Sequence, residues 1–371
     1  MSILDLGVPR VAGLDIGSHC VKIAEVRRAK QGWQVCRAAH LRAPPAAPTP
    51  VLGPIRPPKV KPQIAADSSG TPLATAVRLA LQNSGIKARR VVCSLPGSAA
   101  VIRYFRFPHL SPKELAGAVR LEAEQVIPFD IHEVELDYQV LPETAAGRGG
   151  MAGVMVAALR SSVDERVGVA RSAGLDVAAV DSDTLALVNC FTEAGPELDG
   201  QAVGIVNIGA HTANLGILRK GGLHFCRDIS LGGANLSAAL SERSGLPTAE
   251  MEELMHGGTA NRVVEIGGGS SNFDELLRQV FDPLITELKQ STTHYVATER
   301  ISGVRRIYLC GGASKLPQLR AVIAEGVDIP TEDWNPLEHV TLEPEASRNV
   351  DILSQGPSMA IALGLAMRRD T

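Results

Sequence analysis

The chain has 371 residues, of which 45% are hydrophobic and 21% charged, so we expect a soluble globular protein with more than one core. Its formal net charge of −3 and its aromatic content of 4% argue against nucleic acid or an anionic membrane as the main partner. The six cysteines form no C-x-x-C pair, and neither a signal peptide nor a membrane-spanning run is visible, so we expect free thiols and a cytoplasmic protein.

The first predicted element is a β-hairpin with a glycine turn. The sequence V-A-G-L-D-I-G-S-H-C-V-K at residues 11–22 predicts a buried strand, a tight turn and a returning strand. Backbone N–H groups, a hydroxyl and an ammonium around such a turn suit an anionic phosphate. D-x-G-S is a weak signal by itself, because many hairpins have a glycine tip. The residues that would surround the phosphate are Asp15, Gly17, Ser18, His19 and Lys22.

A third predicted strand at 31–41 extends the hairpin to a three-strand meander. A proline-rich tract follows it. Residues 42–69 contain eight prolines and little periodicity. This composition indicates an extended or disordered surface insertion. A ligand for a proline-recognition domain is the alternative.

The next segment predicts a small α+β insert. After a helix from Pro72 to a Gly85 cap and a buried strand at 90–97, the pattern becomes β-α-β-β-α-β. We expect this unit to be self-contained. Its elements are a strand at 100–107, a helix from Ser111 to Val126 with a capping box, strands at 134–141 and 153–159, a helix capped by Ser161 or Ser162, and a strand at 175–181.

The second half of the chain repeats the layout of the first. After a helix at 183–194, a second hairpin at 204–218 carries the same strand, glycine turn and returning strand. Residues 236–300 are mainly helical, and a compact apolar helix closes the sequence at 356–367. The repeat predicts two related halves with a cleft between them. The motif residues of this half are Asn207, Gly209, Ala210, His211 and Thr212 in the hairpin, Gly232 and Gly233 at a helix start, and Gly311, Gly312 and Ser314 after a buried strand.

Two hairpins, two glycine pairs and a terminal helix in this order resemble the actin and sugar-kinase ATPase superfamily. The insert sits where FtsA-like proteins carry an extra domain. The stretches E-A-E-Q-V-I-P-F at 122–129 and E-L-D-Y-Q-V at 135–140 are similar to the PilM family. The resemblance implies an α/β fold, a duplicated actin-like (ribonuclease H-like) ATPase fold with an FtsA/PilM-type α+β insert domain.

The resemblance also implies a division into four subdomains. Actin-like domain 1A would comprise 1–98, 181–200 and 352–371, with the proline-rich insertion at 42–70. Insert domain 1C would be 99–180. Domain 2A would comprise 201–236 and 300–351, and helical domain 2B would be 237–299.

In such a fold the cofactors would be ATP and Mg²⁺. The resemblance places the two hairpin tips around the phosphates and Asp15 near the Mg²⁺, through water. Gly232 and Gly233 would approach the sugar and phosphates, and Gly311, Gly312 and Ser314 the adenosine. Glycines for close approach and helix N-termini beside negative charge fit this assignment. The alternative is that both hairpins are only structural turns.

The second hairpin departs from the superfamily pattern, because Asn207 stands where an Asp is usual. An amide cannot hold a metal-bound water by charge or help to deprotonate an attacking water. We therefore expect nucleotide binding with at most weak ATPase activity, and we identify no catalytic residue.

His19 and His211 occupy equivalent tips of the two hairpins. If the tips face each other, both imidazoles could approach the phosphates and make nucleotide binding pH-sensitive. The alternative is that both are exposed turn residues facing away from the cleft.

The resemblance implies a partner as well, the N-terminal cytoplasmic peptide of a PilN-like inner-membrane protein, held between the insert and the first domain. Candidate contacts on the strand at 101–107 are Arg103, Tyr104, Phe105 and Arg106, since aromatic and Arg side chains suit a peptide groove. These four could equally divide between core and solvated edge.

The function implied is an ATP-binding scaffold of the type IV pilus assembly platform, recruited to the inner face of the inner membrane. The alternatives are an FtsA-like or type II secretion-related filament or scaffold protein, and a small-molecule kinase. No Asp base facing the cleft is evident for a kinase, and the chain ends without the amphipathic helix typical of FtsA-like proteins.

Overall fold

The structure is a computed structural model that describes residues 11–30, 32–43, 71–141, 150–220, 222–256, 265, 269–316, 318–347 and 350–368. The predicted proline-rich insertion lies, from residue 44 to residue 70, outside the described residues. No helix in the described ranges has both the length and the apolar character needed to cross a membrane.

The strands of the described residues form three sheets. In chain order they are β1 (Val11–Ile16), β2 (Cys20–Ala29), β3 (Gly32–Arg42), β4 (Arg90–Leu95), β5 (Ala100–Phe107), β6 (Val134–Val140), β7 (Met151–Leu159), β8 (Asp176–Ser182), β9 (Ala202–Ile208), β10 (Ala213–Arg219), β11 (Gly222–Ile229), β12 (Val304–Cys310), β13 (Thr331–Asp333) and β14 (Thr341–Leu342).

The α-helices lie between and around these sheets. They are α1 (Pro72–Ser84), α2 (Pro112–Val126), α3 (Arg160–Ser172), α4 (Asp183–Ala194), α5 (Gly233–Ser244), α6 (Thr248–His256), α7 (Ser270–Glu299), α8 (Leu319–Val327), α9 (Pro344–Ser347), α10 (Val350–Ser354) and α11 (Ala360–Ala366). Pro283 lies inside α7.

The two larger sheets have the same local topology. In the six-stranded sheet β14-β3-β2-β1-β4-β8, strands β1 to β3 form an antiparallel meander and β1 pairs in parallel with β4. In the five-stranded sheet β11-β10-β9-β12-β13, strands β9 to β11 form the meander and β9 pairs in parallel with β12. The predicted duplication is therefore present in the fold.

The third sheet has the order β5-β7-β6 and belongs to the insert. Helix α2 covers it, with Phe105, Val119 and Met155 in the shared core. The capping box at Ser111 is present as predicted, with the Ser111 side chain accepting from Glu114 N–H. Because the insert buries its own apolar side chains, it forms a core separate from those of the two larger sheets.

The prediction of a self-contained β-α-β-β-α-β insert is wrong in its last two elements. Strand β8 pairs in parallel with β4 and so completes the six-stranded sheet, while α3 packs against β4, β8 and α1. The predicted cap of α3 is also wrong, because the helix begins at Arg160 and its N-cap Leu159 makes no side-chain bond. Only the β-α-β-β part forms the separate sheet.

Helices α4 and α11 join the two halves. One core cluster holds Phe191 of α4 and Leu363 of α11 together with Ala24 of the first sheet and Ile205 of the second. Burial of apolar surface from both sheets in one cluster stabilises the halves as one molecule. The hairpin tips of the two sheets are thereby held on opposite sides of one cleft.

Candidate functional site

A cleft of about 460 Å³ lies between the two hairpin tips. Its walls come from both halves, because the connections β1–β2 and β9–β10 face it from opposite sides. Concave sites of this size are typical of small-molecule and cofactor pockets. The sequence-predicted residues that line it are Asp15, Gly17, Ser18, His19, Lys22, Asn207, Gly209, Ala210, His211, Thr212, Gly233 and Gly312.

In the first hairpin, Asp15 and Lys22 are direct cross-strand neighbours. The Lys22 Nζ lies 2.7 Å from Asp15 Oδ2, and Asp15 is only 3% exposed. Burial is the largest influence on the pKa of Lys22 and lowers it, but the attraction of the Asp15 carboxylate, its hydrogen bond and further nearby acidic groups together raise that pKa. The turn is closed by Gly17 N–H, which donates to Cys20 O at 3.0 Å. This tip therefore presents a fixed ammonium to the cleft.

In the second hairpin, Asn207 and Asn214 occupy the equivalent cross-strand positions. The Asn207 Nδ2 donates to Asn214 Oδ1 at 2.8 Å, so an uncharged pair replaces the ion pair of the first hairpin. The turn is closed in the same way, with Gly209 N–H donating to Thr212 O at 3.0 Å. The two tips share geometry and differ in charge.

Helix α5 begins directly against the second tip. Gly233 N–H donates to Gly209 O at 3.0 Å, and a side chain on Gly232 would place its Cβ 2.5 Å from the same oxygen. Glycine is thus required at Gly232 for the close approach of the helix start. The N-terminus of α5 lies at the cleft, where its positive dipole end suits an anion.

The two glycines of the second pair have different surroundings, since Gly311 packs against backbone and Gly312 faces the cleft. Gly311 has a φ of +97°, and a Cβ there would lie 2.5 Å from Ile208 O. Gly312 lines the cleft. Ser314 is buried, donates to Gly311 O at 2.9 Å and lines a neighbouring cavity instead. Gly232, Gly311 and Ser314 therefore lie behind the cleft wall.

His19 and His211 meet across the cleft. Their ring centroids are 5.5 Å apart, and His19 Nε2 lies 3.0 Å from Glu252 Oε2 on α6. Burial and the neighbouring His19 lower the pKa of His211, although Glu252 opposes the shift. The two imidazoles thus face the cleft, and the first half is bonded to the helical part of the second.

An acidic residue that the sequence analysis did not identify lines the cleft as well. Asp183 is the first residue of α4, directly after the capping Ser182. Burial and the nearby Asp15 carboxylate raise the pKa of Asp183 to about 7. A carboxyl group that titrates near neutral pH in a cleft can act as an acid or a base. The sequence feature that could have identified Asp183 is its position directly after the predicted strand β8, because ligand sites lie at the carboxyl ends of parallel strands.

Other lining residues add charge to the cleft. Arg166 of α3 donates to Ile16 O at 2.7 Å, and Lys315 donates to Gln355 Oε1 at 2.6 Å. Glu165 also lines the cleft. Within the described ranges, no group of three or more His, Cys, Asp or Glu side chains could hold a metal ion.

The candidate peptide contacts on β5 divide between the interior and the surface, where Arg103 and Arg106 are exposed. Phe105 is 3% exposed in the insert core, and Arg106 forms an ion pair with Glu299 at 3.0 Å. Burial, and then the neighbouring Cys226, raise the pKa of Tyr104. Arg103 donates to the carbonyl of the preceding residue and is exposed. Strand β5 therefore runs close to the second half.

Comparison with known proteins agrees with this architecture. Among solved structures, the chain is similar to the PilM-PilN type IV pilus biogenesis complex, with 26% identity, a TM-score of 0.77, and coverage of 97% of this chain and 98% of that chain. It is also similar in fold to the ethanolamine utilization protein EutJ from Carboxydothermus hydrogenoformans, with 14% identity, a TM-score of 0.50, and coverage of 98% and 90%. The predicted duplicated actin-like fold is confirmed.

A family model described as "Type IV pilus assembly protein PilM" matches residues 13–370. The match includes both hairpins, the insert and the terminal helix α11. The chain therefore belongs to the PilM family of type IV pilus assembly proteins.

Proposed function

We propose that this protein is a cytoplasmic, nucleotide-binding scaffold of the type IV pilus assembly platform. Membership of the PilM family and similarity to the PilM-PilN complex support this role. The partner we propose is the N-terminal cytoplasmic peptide of a PilN-like inner-membrane protein, which would recruit the scaffold to the inner face of that membrane.

The observation that carries the nucleotide proposal is the pair of glycine hairpins facing each other across one cleft. Lys22 and the N-terminus of α5 supply positive charge for phosphates from opposite sides. Gly312 leaves room for the close approach of the adenosine. The ligand we propose is ATP.

We propose that Mg²⁺ arrives with the nucleotide. The side-chain oxygens that could contact it are those of Asp15, Asp183 and Asn207, which all line the cleft. Since Asp15 is already paired with Lys22, the cation would be held mainly by phosphates and water, as is usual for Mg²⁺. The Mg²⁺ would neutralise phosphate charge, and the protein oxygens would hold its bound water.

We propose ATP turnover that is at most weak. Asn207 cannot take a proton from water, and Asp15 is engaged by Lys22. Asp183 lines the cleft with a pKa of about 7, so we propose it as a base for any residual hydrolysis.

For the peptide we propose the boundary between the insert and the first half. Helix α3 packs against β6 and β7 of the insert as well as β4 and β8 of the first sheet, so it borders both units. Arg103 and Arg106 remain our candidate contacts on β5 because both are exposed. We also propose the four-subdomain division given above, with the insert ending near residue 159, where β7 ends.

Two binding measurements test the proposal. A fluorescent ATP analogue should bind the purified protein, and Lys22→Met should weaken this binding at least tenfold. A synthetic N-terminal peptide from the PilN-like protein of the same organism should bind in calorimetry, whereas a scrambled peptide should not. Absence of analogue binding would overturn the nucleotide proposal, and equal behaviour of both peptides would overturn the partner proposal.

A further inference from the structure

The cross-strand pair of the second hairpin is backed by a partly buried carboxylate, Asp228. Asn214 Nδ2 donates to Asp228 Oδ1 on β11 at 2.6 Å. Thr184 Oγ1, on α4 of the first half, donates to the same oxygen at 2.5 Å. The hydrogen bonds therefore run in series from Asp228 through Asn214 to Asn207 at the cleft.

This series has a fixed direction. A carboxylate oxygen that receives two hydrogen bonds acts only as an acceptor, so the Asn214 amide must turn its NH₂ group toward it. The Asn214 carbonyl oxygen then faces Asn207 and requires its NH₂ group in turn. The amide orientations therefore follow from the network and not from a free choice of flip.

Protonation of Asp228 would not reverse the direction of donation along these hydrogen bonds. Burial raises the pKa of the Asp228 carboxyl, while the bonds from Thr184 and Asn214 lower it. Both donors converge on Oδ1, so a bound proton would reside on Oδ2 and leave Oδ1 an acceptor. Gly97 packs against this carboxyl group so closely that a Cβ there would overlap it, which keeps the group covered.

The consequence appears at the cleft. One N–H of Asn207 is used by Asn214, and this bond fixes which way the amide faces. The carbonyl oxygen Oδ1 then lies beside Gly311, next to the cleft-lining Gly312. Asn207 lines the cleft at 7% exposure. An amide carbonyl is a neutral oxygen ligand that hard cations and their bound waters accept.

We propose that Asp228 is a positioning residue that, through Asn214, holds the Asn207 carbonyl oxygen toward the cleft to receive the divalent cation of a bound nucleotide or one of its waters. This inference rests on the proposed nucleotide binding. It also assigns a role to the Asn that stands where an Asp is usual: Asn207 still offers an oxygen to the cation, but without a negative charge. Thr184 makes the arrangement depend on contact with the first half.

The test compares Asp228→Leu with Asp228→Asn. The Leu variant removes the acceptor, whereas the Asn variant can still offer one oxygen to both donors. Binding of the fluorescent ATP analogue is measured with Mg²⁺ and with EDTA. In the wild type and in Asp228→Asn, Mg²⁺ should strengthen binding; in Asp228→Leu the affinity in EDTA should persist while the Mg²⁺ enhancement falls roughly tenfold, the equivalent of about one good hydrogen bond.

A second measurement is made on the wild-type protein, and a variant serves only to assign one signal. In wild-type protein labelled with ¹⁵N at asparagine, the Asn207 side-chain NH₂ should exchange slowly, because Asn214 accepts it; Asn207→Asp identifies its signal. Rapid exchange of this NH₂, or an unchanged Mg²⁺ enhancement in folded Asp228→Leu, would overturn the role of Asp228 and leave the proposed function standing. Failure of the wild type to bind the analogue under either condition would overturn both.

Discussion

Among single residues, we expect the ion pair between Lys22 and Asp15 to contribute most to the free energy of unfolding, because Asp15 is buried. Lys22→Met would leave a carboxylate that is 3% exposed without its cation. Breaking one side of a buried pair costs roughly 3–5 kcal/mol, so we expect a loss of unfolding free energy of that order, measured by urea denaturation.

A control for this change lies on the same strand. Arg27 pairs with Glu343, but its side chain is 55% exposed. Arg27→Met should therefore cost less than about 1 kcal/mol. Equal losses in the two variants would show that the Lys22 pair is not specially stabilising.

Asp183 gives the fold a pH dependence that can be measured. Its pKa of about 7, against an ordinary value of 3.8, means that the folded state keeps a proton which the unfolded state releases. The contribution of Asp183 to the unfolding free energy therefore falls as pH rises from about 4 to about 7. At about 1.4 kcal/mol per pKa unit, the effect can reach a few kcal/mol.

We expect Asp183→Asn to remove this dependence. The loss of stability between pH 5 and pH 8, measured by urea denaturation at each pH, should be smaller in the variant than in the wild type. Asp176→Asn, at the exposed start of β8, should leave the wild-type slope unchanged. Parallel pH profiles for Asp183→Asn and the wild type would contradict the assignment of the raised pKa.

At the scale of elements, the crossing of α11 over α4 depends on one glycine. A Cβ at Gly364 would overlap the Ala186 carbonyl oxygen. Because both helices carry the core that joins the two sheets, Gly364→Ala should force them apart. We expect it to cost about 1–3 kcal/mol or more, measured as a fall in the denaturation midpoint.

Gly117, in the middle of α2, is the matched control. Apart from the adjacent backbone of α2 itself, no heavy atom lies within 4 Å of the position that its Cβ would occupy, and the residue is exposed. Gly117→Ala should therefore stabilise the protein by about 0.5–1 kcal/mol through helix propensity. A destabilising effect of similar size at both positions would argue against close packing as the cause.

Most elements could be predicted because their signals are local. Alternating apolar residues, the Gly85 cap and the Ser111 capping box each lie within a few residues of the boundary that they set. Strand β8 was assigned to the wrong sheet because its pairing with β4 joins residues far apart in sequence, such as Arg90 and Asp176. Nothing in the local pattern of β8 distinguishes one sheet from the other.

The site shows the same division between local and distant signals. The hairpin tips were predicted because their glycine turns repeat along the sequence. Asp183 and Asp228 were not, because each becomes notable only through a neighbour far away in sequence, Asp15 in one case and Thr184 in the other. Gly232 and Gly311 were identified by type, yet their role is in backbone packing behind the cleft.

For the whole molecule, the two halves are joined by a shared core and also by a contact between residues that line the cleft. Helices α4 and α11 share one core with both sheets, and Thr184 bonds across to Asp228. Across the cleft, His19 of the first hairpin bonds to Glu252 of α6, and both residues line it. Because this contact links the two walls, we expect it to act as a gate for a ligand as large as a nucleotide.

Glu252→Gln should weaken that gate. Loss of the charge on a partly buried bond of 3.0 Å is worth about 1 kcal/mol, or roughly fivefold in a rate. We expect both association and dissociation of the fluorescent ATP analogue to become faster by about this factor in stopped-flow measurements, with a smaller change in affinity. Glu250→Gln makes the same change of charge at an exposed position of α6 and should leave both rates unaltered. If Glu252→Gln changed only the dissociation rate, the contact would be part of the binding site and not a gate.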